Sequence, residues 1–131
     1  MKKNKILILG ASGFLGKYLC KTFKLDKSYI VIKQSRKKIK NFHKINFLNK
    51  EEVKKKLNQI KPKFIINSAG LTDIEACQAN FKLAYDANVL VLKNLKEYLE
   101  VNKNCHLIHI STDHIYSGKG PHNEKKNSYF E

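Results

Sequence analysis

The sequence has no tryptophan, one arginine, two prolines and no long apolar run. Apolar runs such as Ile6–Leu9 are far shorter than the roughly 20 residues that a membrane-spanning helix needs. The basic start is followed by only four strongly apolar residues before Gly10, which is too few for the core of a signal peptide. We therefore expect a cytoplasmic protein without a membrane partner.

Cysteine is scarce as well, and its spacing excludes two classes of protein. Cys20, Cys77 and Cys105 are odd in number and form no CxxC pair. This pattern argues against a disulfide framework and against a zinc site. We expect three buried, reduced thiols and no metal.

The chain carries 26 basic residues against 11 acidic ones, a net charge of +15. A nucleic-acid partner would explain such an excess. However, arginine, the usual residue for bidentate base readout, occurs only at Arg36, and the lysines are scattered without an aromatic stacking platform. A general bias toward lysine therefore explains the charge better, and we expect no specific nucleic-acid binding.

The order of hydrophobic segments predicts a single α/β domain over residues 1–131. Short apolar runs alternate with amphipathic ones, which is typical of βαβ units around a parallel sheet. The predicted strands are Lys5–Gly10, Tyr29–Gln34, His43–Phe47, Phe64–Asn67 and His106–Ser111. The predicted helices are Phe14–Lys24, Lys50–Ile60 and Asn80–Val101. By analogy with Rossmann folds we expect strand order 3-2-1-4-5, helices on both faces, and a ligand at the carboxyl ends of strands one and four.

A glycine-rich turn joins the first strand to the first helix. Gly10, Gly13 and Gly16 are spaced as G-x-x-G-x-x-G. Gly10 allows a tight turn, Gly13 lets a pyrophosphate approach the backbone, and Gly16 lets the helix pack closely. The N–H groups at the helix start face the phosphates. An ordinary βα loop is the less favoured alternative.

Three segments resemble the extended short-chain dehydrogenases/reductases, which act on nucleotide sugars, and most of all their dTDP-4-dehydrorhamnose reductase branch. They are Ile6–Gly16, Ile65–Cys77 and His109–Gly118, and Ala84–Asn88 adds a fourth match. The segments cover nearly the whole chain in the order of the family. The resemblance implies a Rossmann domain that binds NAD(P)(H) within an oxidoreductase of nucleotide-sugar and cell-surface polysaccharide biosynthesis.

The resemblance also implies which residues contact the cofactor. The small residues after strand four would lie against the ribose and nicotinamide, the residues after strand three would contact the adenine, and an amide on the apolar stripe of the last helix would support the site. The implied cofactor-binding residues are Gly10, Ser12, Gly13, Phe14, Leu15, Gly16, Arg36, Asn46, Phe47, Ser68, Ala69, Gly70 and Asn88.

The end of strand two bears on which nicotinamide cofactor is bound. NAD-selective domains usually place a carboxylate there to bind the ribose 2′-hydroxyl. This chain has Gln34 and Ser35 followed by Arg36 and two lysines. A guanidinium pairs well with a 2′-phosphate, so NADP(H) is favoured over NAD(H). The alternative is that these residues are simply part of a lysine-rich surface and have no role in the choice of cofactor.

In similar reductases a Ser or Thr, a Tyr and a Lys four residues after the Tyr perform the reaction. Thr112 matches the first of these, although loop capping would also explain a threonine there. Tyr29 and Lys33 have the spacing but lie in strand two, and the family's Tyr would fall just beyond Glu131. We therefore expect an incomplete Rossmann domain without its last strands and substrate domain, and without activity of its own.

Three functions remain open on the sequence alone. The first is the NADP(H)-binding part of a nucleotide-sugar reductase, with a nucleotide sugar as substrate of the complete protein. The second is a non-catalytic dinucleotide-binding regulatory or interaction subunit, and the third is a basic nucleic-acid-binding module. Because strand five would be an unpaired edge, we also expect self-association or a partner that covers this edge.

Overall fold

The structure is a computed structural model that describes residues 3–112 and 119–123. It contains one five-stranded parallel sheet, in the order β3-β2-β1-β4-β5. The strands are β1 Asn4–Leu9, β2 Tyr29–Ser35, β3 His43–Lys44, β4 Phe64–Asn67 and β5 His106–His109. The predicted fold class and strand order are confirmed. Within the described ranges, no helix has the length and hydrophobicity to cross a bilayer.

Helices cover both faces of the sheet, because alternate residues of the central strands point to opposite sides. On one face, Ile6 and Ile8 of β1 pack with Cys20 of helix α1, which spans Phe14–Leu25. On the other face, Leu7 and Leu9 pack against helices α2 (Lys50–Ile60) and α5 (Val91–Val101). Because helices cover β1 on both faces of the sheet, its residues form an uninterrupted apolar run in the sequence.

Helix α2 has the bounds that the sequence predicts. Its apolar face, Val53, Leu57 and Ile60, is buried as expected. The Asn49 side chain caps the helix start by accepting from the backbone N–H of Glu52, 3.0 Å away. The helix ends at Ile60, and the left-handed backbone of its C-cap residue, Lys61 (φ 52°), turns the chain toward β4.

The predicted helix over Asn80–Val101 has the expected bounds, because Asn80 is its N-cap and residues 81–101 are helical without a break, but it is not uniformly α-helical. The segment contains helix α4 (Phe81–Tyr85), a π-helical stretch (Asp86–Leu90) and α5, and the short helix α3 (Ile74–Ala79) precedes it. Asn80 separates α3 from α4 because its side chain accepts from the N–H of Leu83 and so begins a new helix. Asp73 starts α3 in the same way, through the N–H of Ala76.

Two strands are shorter than predicted. β3 ends at Lys44, because the next carbonyl, that of Ile45, accepts from the side chain of Gln34 rather than from a strand neighbour. β5 ends at His109, although the N–H of Ile110 still donates to the carbonyl of Asn67 over 3.1 Å.

The three cysteines are reduced, but only two are buried. Cys20 and Cys105 lie in the two halves of the core, whereas Cys77 is half-buried, which corrects the expectation of three buried thiols. Burial raises the pKa of the Cys105 thiol to about 11 and also raises the pKa of Cys20.

Candidate dinucleotide-binding site

A cavity of about 460 Å³ opens at the carboxyl ends of β1, β2 and β4. It lies where the strand order reverses, which is the place that the sequence predicts for a ligand. Nine residues of the predicted cofactor site line it, namely Gly10, Ser12, Gly13, Arg36, Asn46, Phe47, Ser68, Ala69 and Gly70.

The glycine turn owes its shape to three different constraints. Gly10 has a φ of 70°, and a Cβ there would lie 2.9 Å from the backbone of Ala69. A Cβ on Gly16 would lie 2.1 Å from the Gly10 carbonyl oxygen, so α1 crosses the turn at a distance that only glycine allows. Gly13 has ordinary backbone angles, and a Cβ there would meet the same oxygen at 3.2 Å. Gly10 and Gly16 are therefore fixed by the fold itself, whereas Gly13 is much less so.

The start of α1 is open toward the cavity. Gly13 occupies its N-cap position, no side chain caps the helix, and its first turn holds no acidic residue. The uncapped N–H groups and the positive end of the helix dipole suit an anion. The residues present therefore fit the pyrophosphate of a dinucleotide.

The end of β2 supplies a polar and basic wall. Ser35, Arg36 and Lys37 line the cavity, and Ser35 Oγ accepts from the N–H of Lys37 at 3.1 Å. Arg36 is exposed, so its guanidinium can reach a ligand at the cavity mouth. No carboxylate occupies this wall, in agreement with the sequence.

Asn46 and Phe47 form the next part of the wall, at the end of β3. The Asn46 side-chain oxygen accepts from the N–H of Leu48 at 3.1 Å, and this short turn aims the residue toward the cavity. Phe47 is buried, and its carbonyl accepts from the amide of Asn94 in α5 at 2.8 Å. The sheet edge is thereby anchored to the helical layer.

The exit of β4 forms the opposite wall. Ser68 Oγ donates to the Leu9 carbonyl at 2.6 Å, and the buried side chain of Asn67 accepts from the N–H of Ala69 at 3.1 Å. These bonds hold the small residues Ser68, Ala69 and Gly70 beside the glycine turn. Ala69 is also the residue that excludes a side chain at Gly10.

Asn88 is exposed, so the prediction that its amide is buried on the apolar stripe is wrong. It lies in the π-helical stretch, where the widened turn rotates it away from the core. Its amide nevertheless finds two partners, because Oδ1 accepts from the Leu71 N–H at 2.8 Å and Nδ2 donates to the Leu71 carbonyl at 3.1 Å. Asn88 does not line the cavity but holds the residue that follows Gly70.

The other predicted site residues do not line the cavity. Phe14 is 83% exposed and Leu15 is 41% exposed, both on the first turn of α1. Thr112 lies three residues after β5 and is exposed. The rest of the matching motif, 113–118, and Tyr129 lie outside the described residues.

The described part of the chain brings no tyrosine–lysine pair into the cavity. Tyr85 OH accepts from Lys93 Nζ at 2.6 Å, but this hydrogen bond is exposed and neither residue lines the cavity. Tyr29 and Lys33 lie in β2, as predicted, and do not line it either.

Sequence reasoning missed two groups of residues. Gln34 is almost fully buried at the end of β2, donates to Ile45 and lines the cavity; a polar residue in an otherwise apolar strand was the available signal. The second group lines the cavity from the helical layer, and no sequence pattern marks these residues, because their position depends on tertiary packing. Its members are Leu83, Asp86, Ala87 and Val91.

The parallel sheet with this order, the glycine turn and the cavity at the switch point define an NAD(P)-binding Rossmann domain of the short-chain dehydrogenase/reductase type. Residues 4–131 match the RmlD substrate binding domain family, and the chain belongs to that family.

Individual relatives agree with this assignment. The dTDP-4-dehydrorhamnose reductase of Aggregatibacter actinomycetemcomitans is 30% identical over 87% of this chain and 36% of its own length. The methionine adenosyltransferase 2 subunit beta of Xenopus laevis is 27% identical over 89% of this chain and 35% of its own. The crystal structure of dTDP-4-dehydrorhamnose reductase from Bacillus anthracis in complex with NADP has a TM-score of 0.82 and 25% identity, covering 98% of this chain and 44% of that one. The chain thus spans about a third of the length of the curated relatives that it matches.

Proposed function

We propose that the chain binds NADP(H) in the 460 Å³ cavity and is the nucleotide-binding part of a cytoplasmic nucleotide-sugar reductase. The single observation that carries the proposal is the uncapped start of α1 beside Gly10 and Gly13, at the switch point of the sheet. Relatives named dTDP-4-dehydrorhamnose reductase, and a structure of one with NADP, support the choice of cofactor and substrate class. The cofactor supplies hydride to a keto-sugar; the chain binds and orients it.

Each wall of the cavity has a role in this proposal. The glycine turn, with Ser12 and the first-turn N–H groups of Phe14 and Leu15, holds the pyrophosphate. Arg36, with Ser35 and Lys37 beside it, binds the 2′-phosphate and so favours NADP(H) over NAD(H). Three further groups complete the site. The adenine would lie against Asn46 and Phe47, the ribose and nicotinamide against Ser68, Ala69 and Gly70, and the substrate carbonyl near Thr112.

Titration calorimetry with NADPH and NADH tests the proposal. Gly13→Val fills the space that a pyrophosphate would need, and Thr22→Val on the exposed side of α1 is the matched control. We expect NADPH to bind more tightly than NADH, Gly13→Val to abolish the heat signal, and Thr22→Val to leave it unchanged. Equal binding by wild type and Gly13→Val would refute the phosphate site.

A non-catalytic dinucleotide-binding subunit is the second candidate. It is favoured by relatives named methionine adenosyltransferase 2 subunit beta. The two candidates differ in the segment that follows residue 131 in the gene. A Tyr-x-x-x-Lys there would support the reductase, and its absence would support the subunit.

A further inference from the structure

A second cavity, of about 290 Å³, lies between α1 and β2 and shares no lining residue with the dinucleotide site. Four lysines line it together with Ala11, Cys20 and Phe42. Three of them come from α1, namely Lys17, Lys21 and Lys24, and the fourth is Lys33 of β2. We call this surface the lysine groove.

The positive charge of the lysine groove is not neutralised within the described part of the chain. Helix α1 contains no acidic residue, and none of the ion pairs found there involves the four lysines. Lys17, Lys21 and Lys24 follow at i, i+4 and i+7, so they form a row about 10 Å long on one side of the helix. Lys33 Nζ lies 4.4 Å from the ring centre of Phe42, which fixes the charge at the opposite wall.

Aromatic rings stand beside this row. Phe14 and Tyr18 are 83% and 59% exposed, and their ring centres are 5.2 Å apart. Phe14 lies one helical turn before Lys17, and Tyr18 one turn before Lys21, so rings and ammonium groups are neighbours on the helix surface. Lysines and aromatic residues alternate along α1, and the helical spacing brings Phe14 and Tyr18 beside the row of lysines.

We propose that the lysine groove, with Phe14 and Tyr18, binds single-stranded polynucleotide without sequence preference. Backbone phosphates contact the row of lysines, and a base stacks on the exposed rings, which is the combination that such binding requires. The near absence of arginine agrees with a lack of base readout. The two neighbouring exposed rings favour a polynucleotide over an anionic membrane, because a membrane offers phosphates without bases to stack.

Fluorescence anisotropy of a short labelled oligothymidine, measured over a series of NaCl concentrations, tests the proposal. In Lys17→Gln/Lys21→Gln/Lys24→Gln we expect the slope of log K against log[salt] to become shallower by about 2, because roughly 0.7 is lost per phosphate contact on a single strand. Lys54→Gln/Lys55→Gln/Lys103→Gln removes the same charge from exposed positions elsewhere, and its slope should match wild type.

The aromatic contact has a different signature. Tyr18→Ser should weaken oligonucleotide binding about tenfold without changing the salt slope, and Tyr18→Phe should restore the affinity.

Saturating NADPH should not displace the oligonucleotide, because the two cavities are separate. Equal losses in the two triple variants would overturn the proposal, as would competition by NADPH. Dependence on the α1 lysines for phosphatidylglycerol vesicles but not for the oligonucleotide would assign the surface to membranes instead.

Discussion

The backbone N–H of Gly10 donates to the buried side chain of Gln34, with 3.4 Å between the nitrogen and Oε1. The same amide donates through Nε2 to the carbonyl of Ile45 at 2.9 Å. One side chain thus joins the glycine turn after β1 to the segment that follows β3. The floor of the dinucleotide cavity depends on this link.

Gln34→Leu should therefore destabilise the protein and weaken dinucleotide binding. The change leaves the Ile45 carbonyl without its partner in the core, at a cost of about 1–3 kcal/mol. Urea unfolding measures the loss, and Gln59→Leu on the exposed side of α2 is the control, expected within about 0.5 kcal/mol of wild type. A Gln34→Leu variant as stable as the control would show that the link is dispensable.

The glycines of the turn should respond differently to alanine. Gly16→Ala brings a Cβ to 2.1 Å from the Gly10 carbonyl, so the helix must shift, at a cost of about 3 kcal/mol or more. Gly13→Ala meets the same atom at 3.2 Å in an ordinary conformation and should cost about 1 kcal/mol or less. Thermal unfolding separates the two, and similar melting temperatures would contradict the close packing of α1 on the glycine turn.

Arg36→Asp should reverse the cofactor preference. It removes a cation from the 2′-phosphate and offers a carboxylate to the 2′-hydroxyl of NADH. The loss of one charged hydrogen bond, about 1.5–3 kcal/mol, lowers NADPH affinity roughly ten- to a hundredfold. Lys38→Asp makes the same charge change two residues away and outside the cavity lining. An unchanged ratio of NADPH to NADH affinity in Arg36→Asp would exclude the role of Arg36.

Cys105 should make stability fall at alkaline pH. Burial raises the pKa of its thiol from 9.0 to about 11, so between these values the unfolded chain loses the proton while the folded chain keeps it. The folded state then binds more protons, and the free energy of unfolding decreases as pH rises. The stability advantage of wild type over Cys105→Ala should shrink by on the order of 1 kcal/mol between pH 8 and 10.5. A constant difference in urea unfolding would contradict this.

The chain alone should self-associate and show no reductase turnover. In the described residues β5 pairs on one side only, and Ile108 and Ile110 are 46% and 43% exposed. An open apolar edge favours association. Sedimentation should show oligomers that Ile108→Lys reduces, and NADPH oxidation with keto-sugar nucleotides should be absent. A monomer that oxidises NADPH in the presence of substrate would refute the prediction.

The sheet and its ligand edge were predictable because local signals agree with the global fold there. A buried strand such as β4 is recognisable as a short apolar run. The turn at Gly10 is recognisable because its conformation and close contacts require glycine. Helix α3 and the π-helical stretch were not predicted, because α3 has only six residues and buries none of them, and the π-helical turn widens the following helix without interrupting it. Cavity residues that come from distant helices, such as Asp86, likewise depend on tertiary packing.

The amide of Asn88 pairs with both backbone groups of Leu71, as a neighbouring strand would. Two different parts of the fold therefore hold the cavity wall that follows β4. Ser68 is tied to the sheet through Leu9, and Leu71 is tied to the helical layer through Asn88. Gly70 lies between these two attachments, and a Cβ there would approach Asn88 Oδ1 to 3.2 Å. The position of Leu71, which lines the cavity, therefore depends on the helical layer, whereas the position of Ser68 depends on the strand that leads into the glycine turn.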